Sequence, residues 1–382
     1  MKLPFESKLP GLEPSIFGVM NRIALDAGAL NLAQGFPDFG ADPELIRLHS
    51  EALEEGYNQY APMSGIYSLR EAIAEKTETL YGASYHPETE VTVTAGATQA
   101  LYTAIAATIR PGDEVIVFKP AYDHYEPSVK AHGGVPVLLQ LQGPDFRIDW
   151  VAFDAALTAS TRMVIINTPH NPSGTVLSRE DMEMLETRLR GTNILVLSDE
   201  VYEHLVFDGQ EHQSVARFPG LRERAFVCAS FGKTFHITGW KTGYCLAPEL
   251  LMQEFRKIHE FAIFCVSHPA QRALKTYLEN PDHYLELNDF MQRKRDLFLE
   301  AVASSRFTFT PAAGTYFQLL GYQDISEAPD TEFAETLARD KGLAGIPISV
   351  FNRNRQDNRQ LRFCFAKKDE TLKRAGEILS QV

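Results

Sequence analysis

Residues 230–241 read SFGKTFHITGWK, directly after the apolar run AFVCA at 225–229. Lys233 therefore stands just past a strand-like segment, with Ser230 three residues before it and Lys241 eight after. A lysine kept for solubility needs no such setting. One that must shed its proton and form a covalent bond does, because loss of water around an amine lowers its pKa.

The same arrangement of apolar run followed by polar loop recurs upstream. EVTVTA (90–95), EVIVFKP (114–120), VPVLLQL (135–141), MVIINTP (163–169) and NILVLSDEVY (193–202) read as strands. Helical patterns lie between them. In ATQALYTAIAATI (97–109), Leu101, Ala104, Ile105 and Thr108 repeat at helical spacing, and SREDMEMLETRLRG (178–191) opens with the Ser178/Asp181 spacing of a capping box. The strands are mostly continuous rather than alternating in polarity. That predicts burial on both faces, and so an α/β fold whose central sheet is mostly parallel and flanked by helices. Ligands of such sheets gather beyond the carboxyl ends of the strands. The polar residues found there are Gly96–Thr98, Tyr122, Asn171, Asp199–Tyr202 and Ser230–Lys233.

The rest of the chain bounds the answer. Its 382 residues, 44% hydrophobic and 23% charged, exceed one small core and suggest two domains. A formal charge of −13 argues against nucleic acid as the main partner, which calls for an excess of Lys and Arg. No apolar run approaches the ~20 residues of a membrane span. MKLPFESKLPGLEPS at the start has no apolar signal core, so a cytoplasmic location is expected. Cys228, Cys245, Cys265 and Cys364 form no CxxC and read as reduced, buried residues, and no His/Cys cluster has metal-ligand spacing. From 250 to 305 the pattern is helical; from 306 to 382 (RFTFT, GTYFQLLGY, FAETLARDKG, GIPISVF, RQLRFCFA) it is α+β. The first 40 residues, with Pro4, Pro10, Pro14 and Pro37, read as loop-rich.

Asp199 after a buried strand is either a cap or surface acid, or a carboxylate facing a protonated pyridine nitrogen. Tyr202 is either a core aromatic or a donor to a ring oxygen. GATQ (96–99) opens a helix after a strand, where free N–H groups and the helix dipole make a phosphate cradle. Neither GxGxxG nor GxxxxGK[ST] occurs, which leaves dinucleotide and P-loop chemistry without a fingerprint. Ser230 and Lys241 would reach the same single phosphate. A lysine with an aspartate partner for a pyridine nitrogen is the protein's share of pyridoxal 5'-phosphate (PLP) chemistry.

SFGKTFHITGWKTGYCLAP resembles the lysine segment of the class I and II aminotransferases, of PLP fold type I. NLAQGFPDF (31–39), NQYAPMSG (58–65), TPHNPSG (168–174), SDEVYEHLVFDG (198–209), GTYFQL (314–319) and RFCFAKKDETL (362–372) resemble that family in the same order. The details are most similar to its methionine and kynurenine–oxoglutarate branch, which also carries lysine where many aminotransferases have arginine at the position of Lys241.

The resemblance implies Lys233 as Schiff-base and proton-transfer residue, with Asp199 on the pyridine nitrogen. It implies Tyr202 and Asn171 on the phenolic oxygen, with Asn171 also near the substrate carboxylate. Ala97, Thr98, Ser230 and Lys241 would hold the phosphate, and Tyr122 would stack on the ring. Arg362 would grip the substrate carboxylate, which Gly35 lets the backbone approach. Tyr60 would cross a homodimer interface to the neighbour's phosphate and substrate. It further implies a large domain over 45–275 and a smaller α+β domain from 1–44 and 276–382. Activity on amino acid and 2-oxo acid substrates follows, with an apolar pocket expected near Ile16, Phe17 and Tyr60. A cysteine-conjugate carbon–sulfur β-lyase using the same cofactor is the alternative enzyme, and a cofactor-binding sensor without catalysis the alternative class.

Overall fold

The computed structural model describes residues 6–382. Pro4 and the first five residues of the expected small domain lie outside the described residues. Seven strands form the central sheet: β1 (Val91–Thr94), β2 (Glu114–Lys119), β3 (Val135–Gln140), β4 (Thr161–Asn167), β5 (Leu195–Asp199), β6 (Ala225–Ser230) and β7 (Gly243–Leu246). Their order is β1-β7-β6-β5-β4-β2-β3. Only β7 runs antiparallel to its neighbours, so six strands end along one edge.

Both faces of the sheet are covered, as the unbroken apolar runs demand. Alternate residues along a strand enter separate cores: Val115, Val117 and Leu197 pack on one face, Ile116, Phe118 and Val196 on the other. Each such side chain, fully buried, contributes about 1.5–3 kcal/mol. Edge strand β3 is only half-buried. The helix Gly96–Thr108 lies against β6, β7 and the helix Glu249–Ala262. The Arg179–Leu189 helix starts with the expected capping box, Ser178 and Asp181 bonding each other's backbone amides.

A second, three-stranded antiparallel sheet comes from the C-terminal third: β8 (Phe317–Gly321), β9 (Ile346–Pro347) and β10 (Gln360–Cys364), in the order β9-β10-β8. RFTFT contributes only an isolated bridge, Thr308 to Gly321. The N-terminal segment joins this part. Leu30–Asn31 pairs in parallel with Leu343–Ala344, and Asp38 accepts from the Lys368 amide at 2.6 Å and the Thr371 hydroxyl at 2.7 Å.

One expectation changes. The loop-rich start contains a 12-residue helix, Ile16–Ala27, with Met20 and Ala24 buried and Gly28 closing it in the left-handed conformation. Its prolines flank the helix rather than interrupt it, which a count over 40 residues conceals. Among the described residues, no helix is long and apolar enough to cross a membrane.

Candidate active site

The shared strand edge opens into a cavity of about 360 Å³, closed on the far side by the N-terminal segment and the second sheet. Each strand delivers its polar residue there by ending. Asp199 is the last residue of β5, and Ser230 the last of β6 before the short helix Phe231–Thr234 that carries Lys233.

Asp199 is 3% exposed. The Tyr125 hydroxyl donates to its Oδ2 at 2.6 Å and the Val201 amide to its Oδ1 at 3.3 Å. Burial pushes the carboxyl up to about 6, against the pull of those hydrogen bonds. Lys233 Nζ donates to the Gly35 carbonyl at 2.5 Å, and the Tyr316 hydroxyl donates to the Lys233 carbonyl. Burial brings the amine down to about 8, which keeps a share of it neutral and nucleophilic near physiological pH.

Arg362, on β10, is 1% exposed and sits over Phe317, its Cζ 3.8 Å from the ring centroid. Its Nη1 donates to Asn171 Oδ1 at 2.7 Å and its Nη2 to the Ala33 carbonyl at 3.1 Å, while Nε has no partner among the described residues. Burial lowers this guanidinium to about 10, still fully charged at neutral pH. Such a fork has donors to spare for an incoming carboxylate.

At the other end, Ala97 and Thr98 sit in the first turn of the Gly96–Thr108 helix, whose preceding residue provides no side-chain cap. Lys241 Nζ lies 3.6 Å from where a Cβ on Gly96 would stand. Ser230, Thr238 and Thr242 complete this anion-seeking corner.

Of the residues expected from sequence, Gly35, Ala97, Thr98, Tyr122, Asn171, Asp199, Tyr202, Ser230, Lys233, Lys241 and Arg362 all line the one cavity. Tyr60 does not. It is 79% exposed, edge-on to Phe264 at 5.1 Å. Of the expected apolar pocket, Phe17 lines the cavity, whereas Ile16 packs against the core instead. The sequence pattern does not single out Tyr125 or Phe317. Tyr125 follows Tyr122 by three residues and Phe317 lies inside GTYFQL, but neither spacing shows which way a ring points. His170 bonds Ser173 and the Pro120 carbonyl, away from the cavity.

The donor set fits pyridoxal 5'-phosphate. There is a cradle for one phosphate, an amine with a lowered pKa, and a buried carboxylate that makes no salt bridge among the described residues. Fold and site together define a PLP enzyme of fold type I. The chain belongs to the family described as aminotransferase class I and II, which it matches over residues 27–379, and it is a PLP-dependent aminotransferase.

Its relatives agree. It is 48% identical to the methionine aminotransferase of Escherichia coli (strain K12) over 378 residues, 99% of this chain and 98% of that one. The crystal structure of YbdL from Escherichia coli, described as having a methionine aminotransferase function, superposes with a TM-score of 0.98 at 48% identity, covering 100% of both chains. Kynurenine–oxoglutarate transaminase 1 of Rattus norvegicus is 31% identical over 97% of this chain and 96% of its own.

Proposed function

We propose that this aminotransferase takes methionine as amino donor, with aromatic amino acids, glutamine or kynurenine as further donors, and passes the amino group to a 2-oxo acid in two half-reactions. The observation that carries the donor choice is the charge of the cavity. Its lining includes three cations: Lys233, Lys241 at the phosphate corner, and Arg362. With Arg362 engaged by the α-carboxylate, none of them remains for a second carboxylate, while Phe17, Phe36 and Phe317 offer apolar wall to an uncharged side chain. The 48% identity to a methionine aminotransferase supports the same reading.

When bound, the cofactor supplies an aldehyde that takes up the amino group and a ring that withdraws electrons from the substrate's Cα. The protein supplies position and protons. Lys233 Nζ would hold the cofactor covalently, and its free amine would take the substrate's Cα proton and later give it back, acting first as base and then as acid. Asp199 would face the ring nitrogen. Tyr202 and Asn171 would donate to the phenolic oxygen, Tyr122 would stack on the ring, and Ala97, Thr98, Ser230 and Lys241 would hold the phosphate. Arg362 grips the α-carboxylate beside Asn171 and the Gly35 backbone.

The division into a large unit (45–275) and a small one (1–44 with 276–382) belongs to this proposal. So do a cytoplasmic location and a homodimer in which Tyr60 completes the neighbour's cofactor and substrate site. The division falls within two helices, Pro43–Glu54 and His268–Leu278, that pack on each other.

A donor-by-acceptor screen of the purified protein tests the function. Methionine with a 2-oxo acid is expected to give among the highest kcat/KM values, with the parallel double-reciprocal lines of a ping-pong reaction. A preference for aspartate would overturn the donor reading. Pyruvate, ammonia and thiol from a cysteine thioether without any acceptor would make the enzyme a β-lyase, a class that none of the relatives above bears in its name.

A further inference from the structure

Beneath the cavity, Tyr125 is, among the described residues, the one side chain that hydrogen-bonds the carboxylate of Asp199. It is 2% exposed and opens the Tyr125–Ala131 helix just after β2. Tyr122, three residues earlier, lines the cavity itself, its ring perpendicular to that of Tyr125 at 5.8 Å. The segment KPAYDHYEP (119–127) thus sends one phenol to the cavity and the next to the back of Asp199.

We propose that Tyr125 is a positioning residue that sets the basicity of Asp199, and so decides whether the proton shared with the cofactor ring stays on the ring nitrogen. The inference rests on Asp199 facing that nitrogen. A carboxylate that accepts a strong hydrogen bond is a weaker base. With the Tyr125 hydroxyl 2.6 Å from Oδ2, the carboxylate would meet the ring with reduced proton affinity, and the positive charge would remain on the ring, where it withdraws electrons. Without that donor, the Val201 amide at 3.3 Å is the remaining hydrogen bond to the carboxylate. The proton would then shift onto Asp199. Tyr125 is well suited to the task, because burial and the neighbouring carboxylate push its phenol well above 10, so it remains a donor.

The test uses holoenzyme loaded with ring-15N PLP, and the apoprotein titrated with PLP and with an analogue whose ring nitrogen is replaced by carbon. Tyr125→Phe is expected to move the 15N signal toward the unprotonated position. It should weaken PLP binding about tenfold, the size of a lost charge-assisted hydrogen bond, leave binding of the carbon analogue unchanged, and lower kcat more than it raises KM. Tyr125→3-fluorotyrosine, which keeps the ring and donates more strongly, should move the signal the opposite way and guards against loss of folding in the first variant. Asp199→Asn must discriminate PLP from the carbon analogue; if it does not, the placement of Asp199 fails. If it does, while neither Tyr125 variant moves the 15N signal, the proposal for Tyr125 is overturned and the reading of Asp199 stands.

Discussion

Arg362 and Lys233 show how burial changes what a side chain can do. Arg362 already gives one Nη to Asn171 and one to Ala33, and its guanidinium carbon sits over the Phe317 ring. A lysine would keep the charge but lose both the fork and the stacking. Arg362→Lys is expected to raise KM for the amino donor about 10- to 100-fold, as loss of a charge-assisted pair implies, with a smaller fall in kcat; steady-state kinetics check it. Lys233 carries a stability consequence. Its pKa falls from 10.5 unfolded to about 8 folded, so between those values the unfolded chain holds a proton that the folded chain has released. Stability from this group therefore rises with pH across that window, and the full cost of the buried cation applies below it. Lys233→Met should raise the thermal midpoint of the cofactor-free protein most below pH 8, the gain fading toward pH 10.5. A gain independent of pH would show that the amine is not desolvated.

Between elements, the phosphate corner depends on how closely β7 approaches the start of the Gly96–Thr108 helix. Gly243 permits it: a Cβ there would stand 2.5 Å from the Ala229 carbonyl oxygen and 3.0 Å from the Ala97 amide nitrogen. Both neighbours are backbone and cannot swing aside. Gly243→Ala is expected to cost about 1–3 kcal/mol of stability, as overpacking does, and to weaken cofactor binding by pushing the Ala97 amide out of place. Denaturant midpoint and PLP titration measure the two effects, and unchanged values for both would mean the strand edge is freer than its packing shows. Much of this scale was legible in the chain. Strand ends and the Ser178/Asp181 cap depend on residues only a few positions apart, and local spacing records them.

For the whole molecule, surface aromatics carry the argument. Tyr60 (79% exposed), Phe261 (88%) and Phe264 (46%) stand in water although burial would favour each. The proposed homodimer would cover them and would bring Tyr60 to the neighbour's site. Sedimentation is expected to give twice 42.8 kDa, and Tyr60→Ala should weaken PLP binding without altering the fold. A monomer at micromolar concentration would remove the proposal.

By itself, the sequence determined the sheet and the edge on which it opens, because strand ends follow from short runs of neighbours in the chain; Gly35 and Arg362 were assigned to the cavity only through the resemblance of whole motifs to a family. It did not reveal the helix Ile16–Ala27, the ring under Arg362, or the phenol behind Asp199. Phe317 meets Arg362 from a paired strand, and Tyr125 reaches Asp199 across 74 positions of sequence. Only the packed tertiary structure decided those contacts, since the direction of a buried side chain depends on which distant surfaces close around it.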